Sequence, residues 1–301
     1  MIEEMNKMKL NVKQFIREHI LKFDLPFMEE RRNFFTTKQK KKFIDYLNRT
    51  FPNLEISLLE VGSKGGLCYN YQILKYLNNF SLEGVEPQDN EASQLKGYHK
   101  IHNEAVFSKN GKAILHITKS SGCSSLLKPN FAELKEYGEE GDFEIVKDKE
   151  IEVRKLDSII KRKFDFINLD IQGSEYDALL GGGNLLINCI GLSFESHLFP
   201  IYENEKLFSD IHKLIKDDFR ILRIKTRTYQ GILMELSDVV AVKRIDFIKT
   251  KEDLLKAILY CFLWERKEFI RVLLRNKGNL LEDKEKSQIA RYVRKGKFQK
   301  Y

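Results

Sequence analysis

Four side chains able to move a proton gather in one part of the chain: Asp170, Glu175, Glu195 and His197. Asp170 closes an apolar run over residues 164–169, and Glu195 and His197 follow a second run over residues 190–194, so they fall at or just past strand ends. Carboxylates and an imidazole in one place suit general acid–base catalysis. The same oxygen-rich set admits a divalent cation such as Mg²⁺, though no ligand spacing demands one and no metal is assigned. Another acid, Glu86, closes an apolar stretch before Pro87. A carboxylate there either accepts two hydrogen bonds from ribose hydroxyls or faces water as an ordinary strand-end acid.

The element that would position a ribose lies upstream. Residues 56–61 are mostly β-branched or leucine, as a strand covered on both faces should be, and the run stops at Glu60-Val61-Gly62-Ser63-Lys64-Gly65-Gly66. Residues 68–79 then carry a helical pattern. Strand, glycine turn and helix form the nucleotide-binding corner of a doubly wound sheet. A dinucleotide fingerprint would need glycine where Lys64 stands, and a P-loop would need Gly-Lys-Ser/Thr five residues after Gly62. What remains is acid-x-Gly-x-x-x-Gly, from Glu60, Gly62 and Gly66, which serves a nucleotide-like ligand or simply makes a tight turn.

The 301 residues, 42% of them hydrophobic, suffice for one large α/β domain with extensions. No apolar run reaches the roughly 18 residues of a membrane span, and Met1-Ile2-Glu3-Glu4 lacks the order of a signal peptide, so the expected location is the cytoplasm. Cys68, Cys123, Cys189 and Cys261 are widely spaced, without a C-x-x-C pair, and are expected to be plain thiols. The formal charge of +8 is concentrated at Lys38, Lys40, Lys41 and Lys42 and at Arg291, Arg294, Lys295, Lys297 and Lys300, outside the glycine-turn region.

The periodicity predicts helices over residues 1–50, with Val12, Phe15, Ile16, His19 and Ile20 on one face, and a second strand over residues 80–87. Residues 101–107 and 113–117 read as a hairpin, followed by a loop at 120–125. Further strands fall at 145–156, 164–170 and 190–194, and a helix at 207–215. Residues 219–224 and 232–242 are joined by too short a connection for a crossover helix, which makes the last pair antiparallel. One strongly apolar helix is expected over 251–275, ending near Gly278.

In order, Glu60 to Gly66, Glu86-Pro87, Asn103-Glu104-Ala105-Val106, Gly122-Cys123-Ser124-Ser125-Leu126 and Leu169-Asp170-Ile171-Gln172-Gly173-Ser174-Glu175 resemble the FkbM family of S-adenosylmethionine-dependent methyltransferases. Asp-x-Gln-Gly-x-Glu with Leu180-Gly181 behind it is the most specific part. The resemblance covers about residues 55–245 and implies a Rossmann-like, seven-stranded, doubly wound methyltransferase sheet with its last strand antiparallel. Residues 1–54 would then be a helical cap and 246–301 a C-terminal helical extension with a basic tail. The chain departs from the family in having Glu60 for the usual aspartate and Ser63-Lys64 for an Ala-Asn pair. A cationic Lys64 beside a sulfonium requires its ammonium to turn to solvent or to an acid.

The resemblance implies that Glu60, Gly62, Ser63, Gly66, Glu86, Pro87, Ala105 and Asp170 hold S-adenosylmethionine. It further implies a hydroxyl acceptor, commonly on a sugar or polyketide, hence a glycan or other hydroxylated small molecule. A hydroxyl needs a base. His197 is preferred because imidazole titrates near neutral pH, with Asp170 and Glu195 as the other catalytic candidates. Gln172, Glu175 and Tyr202 are assigned to substrate. The alternatives are methylation of RNA or another nucleic acid, suggested by the basic runs, and a non-catalytic binding module on the same fold. No Asn/Asp-Pro-Pro-Tyr-like motif for base N-methylation is present. The C-terminal helix is expected to pack on the domain, with peripheral contact to the inner face of the membrane or dimerisation as its other uses.

Overall fold

The computed structural model describes residues 35–229 and 232–294. The helix expected around Val12 to Ile20 and the basic residues Lys295, Lys297 and Lys300 lie outside the described residues.

Seven strands form the main sheet: β1 (Ile56–Val61), β2 (Phe80–Val85), β3 (Lys100–His102), β7 (Phe166–Leu169), β8 (Gly191–His197), β9 (Phe219–Tyr229) and β10 (Ile232–Lys243), in spatial order β3-β2-β1-β7-β8-β10-β9. β1 pairs in parallel with β2 and β7, and β7 with β8, whereas β10 runs antiparallel to both β8 and β9. The last strand is therefore the reversed one, as expected for a methyltransferase sheet. All six residues of β1 are buried, which matches their unbroken apolar run: a central parallel strand is covered on both faces.

Three local expectations change. The segment after Cys68 is a 3-10 helix, Tyr69–Tyr76, and not an α-helix. Its buried residues are Tyr71, Ile73 and Leu74, and of these Tyr71 and Leu74, with Leu77 next, recur every third position, the period of a 3-10 turn. Residues 101–107 are not one strand. Asn103 and Glu104 interrupt them, leaving β3 in the main sheet and β4 (Ala105–Val106) in a second sheet of three strands. The expected hairpin is absent too, because β6 (Ile145–Arg154) lies between β4 and β5 (Gly111–Thr118). Cross-strand contacts fit that pairing, with Lys112 2.6 Å from Glu150 and His116 hydrogen-bonded to Asp148 at 2.7 Å.

The expected C-terminal helix is two, α4 (Lys251–Leu263) and α5 (Lys267–Lys277), parted where Glu265 adopts φ 64°. Thr250 starts α4 in a reciprocal capping box with Asp253, worth about 1 kcal/mol. Residues 254 and 255 and 257–264 are all buried, several against β1, β7 and β10 and against α1 (Thr37–Thr50). Phe262 stacks on Phe43 of α1 at 4.2 Å. α1, α4 and α5 thus cover one face of the sheet. α2 (Glu175–Gly181) and α3 (Phe208–Ile215) pack on the other face with Leu59, Ile167 and Leu192. α6 (Asp283–Arg294) follows α5 and buries Ile289 and Val293 in the first core. Among the described residues no helix is long and apolar enough to cross a membrane.

Candidate active site

Two cavities lie at the carboxyl ends of the parallel strands, where doubly wound sheets bind ligands. The first, ≈ 300 Å³, is lined by Glu86, Pro87, Ala105 and Val106, by the loop Ser121 to Leu126, and by Gln172 and Ser174. The second, ≈ 180 Å³, is lined by Glu60, Gly66, Cys68, Asn168, Ser193, Glu195, Ser237 and Asp238. Gly62, Lys64 and Asp170 border both.

The glycine turn joins them. Gly62 has φ 83°, and a Cβ there would stand 1.8 Å from the Asp170 carbonyl oxygen, so only glycine lets the ends of β1 and β7 meet. Beyond it, nothing lies within 4 Å of where a Cβ on Gly65 or Gly66 would stand. Glu60 holds the turn from beneath: Oε1 accepts from the Cys68 amide at 2.8 Å and Oε2 accepts from the Tyr98 hydroxyl. Burial lifts its carboxyl to about 7, against the downward pull of those two bonds. Ser63 is corrected from the cofactor set. Its side chain is fully buried and donates to the Glu60 carbonyl at 2.8 Å, so it braces the turn and borders neither cavity. Lys64 turns to an acid, lying 3.5 Å from Glu91.

Glu86 is buried and lines the first cavity, with Oε1 accepting from the Gln88 amide at 3.0 Å. Burial raises its proton affinity above the ordinary carboxylate range. Ser174 faces the same cavity and is 1% exposed, yet its hydroxyl has no hydrogen-bond partner.

The motif Asp170 to Glu175 makes a sharp turn with φ 56° at Gln172 and 90° at Gly173. A side chain at 173 would meet the Tyr202 ring at 2.7 Å. Ser125 Oγ donates to the Gln172 carbonyl at 2.6 Å, and the Ile171 amide donates to Glu175 Oε1 at 2.8 Å. The Gln172 amide then reaches both candidate carboxylates, donating from Nε2 to Asp170 Oδ1 at 2.9 Å and to Glu195 Oε2 at 3.2 Å. Burial and then the negative charges of Asp170 and Glu235 push Glu195 far above the ordinary carboxylate range. Two or more carboxylates in so small a volume share protons because they cannot all be charged.

Three predicted residues stand behind this wall. His197 is 2% exposed, borders neither cavity, and pairs through Nδ1 with Glu205. Burial lowers its proton affinity, but Glu205 raises it further, so the net shift is upward and favours the imidazolium, the wrong form for a base. Glu205 also accepts from the Tyr202 amide at 3.2 Å, and the Tyr202 hydroxyl lies 3.2 Å from Gln172 Oε1 and 3.0 Å from the Cys123 carbonyl. His197 and Tyr202 therefore hold Gln172 in place; neither faces a ligand. Glu175 is likewise corrected from the substrate set, being 2% exposed and turned to the Ile171 amide.

Four contributors were missing from the sequence expectation: Tyr98, Ser174, Ser237 and Asp238. The last two sit where the register between β10 and β8 shifts, and a bulge re-aims side chains toward a site. The alternation of strand β10 hides such a bulge. Ser174 stood in plain view inside the motif. Among the described residues, no group of three or more His, Cys, Asp or Glu is arranged to hold a metal.

The residues present fit S-adenosylmethionine. Glu86 is placed for ribose hydroxyls, the orphaned Ser174 hydroxyl and the apolar Ala105 and Val106 for a base, and the open space over Gly65 and Gly66 for the amino-acid end.

A model of the methyltransferase FkbM domain matches residues 61–221, more than half of the chain. Among solved structures, the chain is similar to methyltransferase FkbM from Methylobacillus flagellatus KT, at 16% identity and TM-score 0.36, over 66% of this chain and 47% of that one. It thus spans about half of that protein's length. It is also similar to the O-methyltransferase from Bacillus cereus in complex with SAH, at 12% identity and TM-score 0.33, over 78% of this chain and 97% of that one. No curated protein matches the sequence. With a family match across the glycine turn, the Glu86 strand end and the Asp170 motif, the chain belongs to the FkbM family of S-adenosylmethionine-dependent methyltransferases.

Proposed function

We propose that the protein transfers a methyl group to a hydroxyl oxygen of a sugar, in a glycan or glycan precursor. The observation that carries this is the wall of the second cavity, where Gln172 ties Asp170 to Glu195. With Ser237 and Asp238 it offers several acceptors for sugar hydroxyls, and it holds a carboxylate whose proton affinity is raised. When bound, S-adenosylmethionine supplies an electrophilic methyl: the new O–C bond forms as the S–C bond breaks, leaving S-adenosylhomocysteine. The proton lost by the hydroxyl passes to the Asp170–Glu195 pair. Burial and the neighbouring negative charges favour the protonated form of Glu195, so within the pair Asp170 is assigned to take the proton, while Glu195 donates to the acceptor oxygen and orients it. Gln172 fixes both carboxylates, so the geometry is set before the acceptor arrives.

The test is to compare Asp170→Asn and Glu195→Gln with the wild type for transfer of labelled methyl to sugar acceptors. Loss of turnover of about a hundredfold with S-adenosylhomocysteine affinity kept supports the role. Unchanged turnover in both variants contradicts it.

A further inference from the structure

A third cavity, ≈ 330 Å³, opens between α1 and the 3-10 segment and is lined by Thr37, Lys40, Lys41, Tyr69, Asn70, Gln72, Ile73, Lys75 and Tyr76. Among the described residues, its lining contains three lysines, two tyrosines and no acid. Lys40 is committed to the fold, through the Leu263 carbonyl at 2.8 Å and Glu265 at 3.0 Å. Lys41 and Lys75 have no described carboxylate within ion-pair distance; Lys41 instead rests over the Tyr76 ring at 4.1 Å. Tyr69 and Tyr76 are 77% and 53% exposed, which is unusual for rings beside a cavity that burial would reward. The polar cavity at the other end of the sheet shows the contrast. There Lys256 lies 2.7 Å from Asp165 and Arg162 lies 3.3 Å from Glu83, so two of its three cations are already paired.

Unpaired ammonium groups beside exposed rings match a ligand with phosphate charge and a flat face. The cavity also adjoins the proposed acceptor site. Cys68 lines the second cavity and Tyr69, the next residue, lines this one. Lys75 is near enough to Glu60, which lines the second cavity, to draw down the proton affinity of that carboxyl.

We infer that this cleft holds the diphosphate and base of a nucleoside-diphosphate sugar whose sugar ring reaches the Asp170–Glu195 wall. The inference rests on the proposed sugar hydroxyl acceptor and names the form in which that sugar arrives. The lysines line this cavity and the carboxylates line the second, so a molecule anionic at one end and hydroxyl-rich at the other would lie across both in one direction. A cleft of ≈ 330 Å³ suits a small molecule; an RNA strand is usually tracked by an extended basic groove.

The test is calorimetric titration of the full chain with UDP, GDP, uridine and a short poly-uridine RNA, with S-adenosylhomocysteine titrated in parallel. UDP or GDP is expected to bind at least about tenfold tighter than uridine, and the double variant Lys41→Gln/Lys75→Gln to lose about tenfold of that affinity. Tyr69→Ala is expected to weaken the nucleotides while S-adenosylhomocysteine affinity stays within about twofold in every variant, which reports an intact fold. Neither diphosphate binding better than uridine overturns the inference, as does nucleotide binding that ignores the lysine variants. Tighter binding of the RNA, lost in the same variants, overturns it in favour of a nucleic-acid surface. Failure of S-adenosylhomocysteine to bind counts against the cofactor site and leaves the nucleotide result to be judged separately.

Discussion

Replacing Glu175 with glutamine should make the protein more stable at pH 8 while leaving the cofactor site intact. Its carboxyl is 2% exposed, and burial lifts its pKa from 4.5 to about 7 against the downward pull of the Ile171 amide and His197. An unfolded chain has no such burial, so between these values the native state keeps a proton that the unfolded state has lost. Stability therefore falls as pH rises from about 4.5 through about 7, the reverse of a salt-bridged acid. By pH 8 the cost is slightly more than about 3 kcal/mol, at about 1.4 kcal/mol for each pH unit between the two pKa values. Glutamine keeps an oxygen for the Ile171 amide at 2.8 Å and never ionises. Urea unfolding at pH 8 should show Glu175→Gln more stable by about 2–3 kcal/mol, and at pH 5 by less than about 1 kcal/mol. A variant that loses stability equally at both pH values refutes the reasoning. So does one that gains nothing while acceptor KM rises, which would return Glu175 to the substrate.

Other perturbations address the turn and the wall. Gly62→Ala should cost at least about 3 kcal/mol by urea unfolding, because its Cβ would stand 1.8 Å from the Asp170 oxygen at a positive φ. Glu86→Ala should weaken S-adenosylhomocysteine by about a hundredfold in calorimetry, through loss of two charge-assisted bonds. Tyr202→Phe removes the hydroxyl that steadies Gln172 and should lower kcat about five- to tenfold without changing S-adenosylhomocysteine affinity. Glu235→Gln removes one of the negative charges that raise Glu195 and should move the descending limb of the pH–rate profile toward lower pH.

The strand order, the reversed last strand and the glycine turn were legible because they rest on local patterns: an unbroken apolar run, a short connection and an acid before glycines. The 3-10 segment was not, since Tyr71, Leu74 and Leu77 differ from an α-helical stripe by one position in each turn. β6 lodging between β4 and β5 depends on a strand some forty residues away, which hairpin rules do not see. In the site, Glu86, Pro87, Ala105, Asp170 and Glu195 stood where strand ends place them. His197 did not, because its strand end gave its position but not its partner Glu205, which bonds it from the following loop. Asp238 was hidden by a register shift that alternation cannot show.

The most direct measurement is the chemical form of the product. After incubation with S-adenosylmethionine carrying a ¹³C-methyl group and a panel of nucleotide sugars and glycans, two-dimensional NMR should show a new methyl ether on a sugar hydroxyl oxygen. The signal should disappear in the Asp170→Asn/Glu195→Gln double variant, which still binds S-adenosylhomocysteine. A methyl signal on nitrogen, or an ether formed equally well by the double variant, would contradict the account.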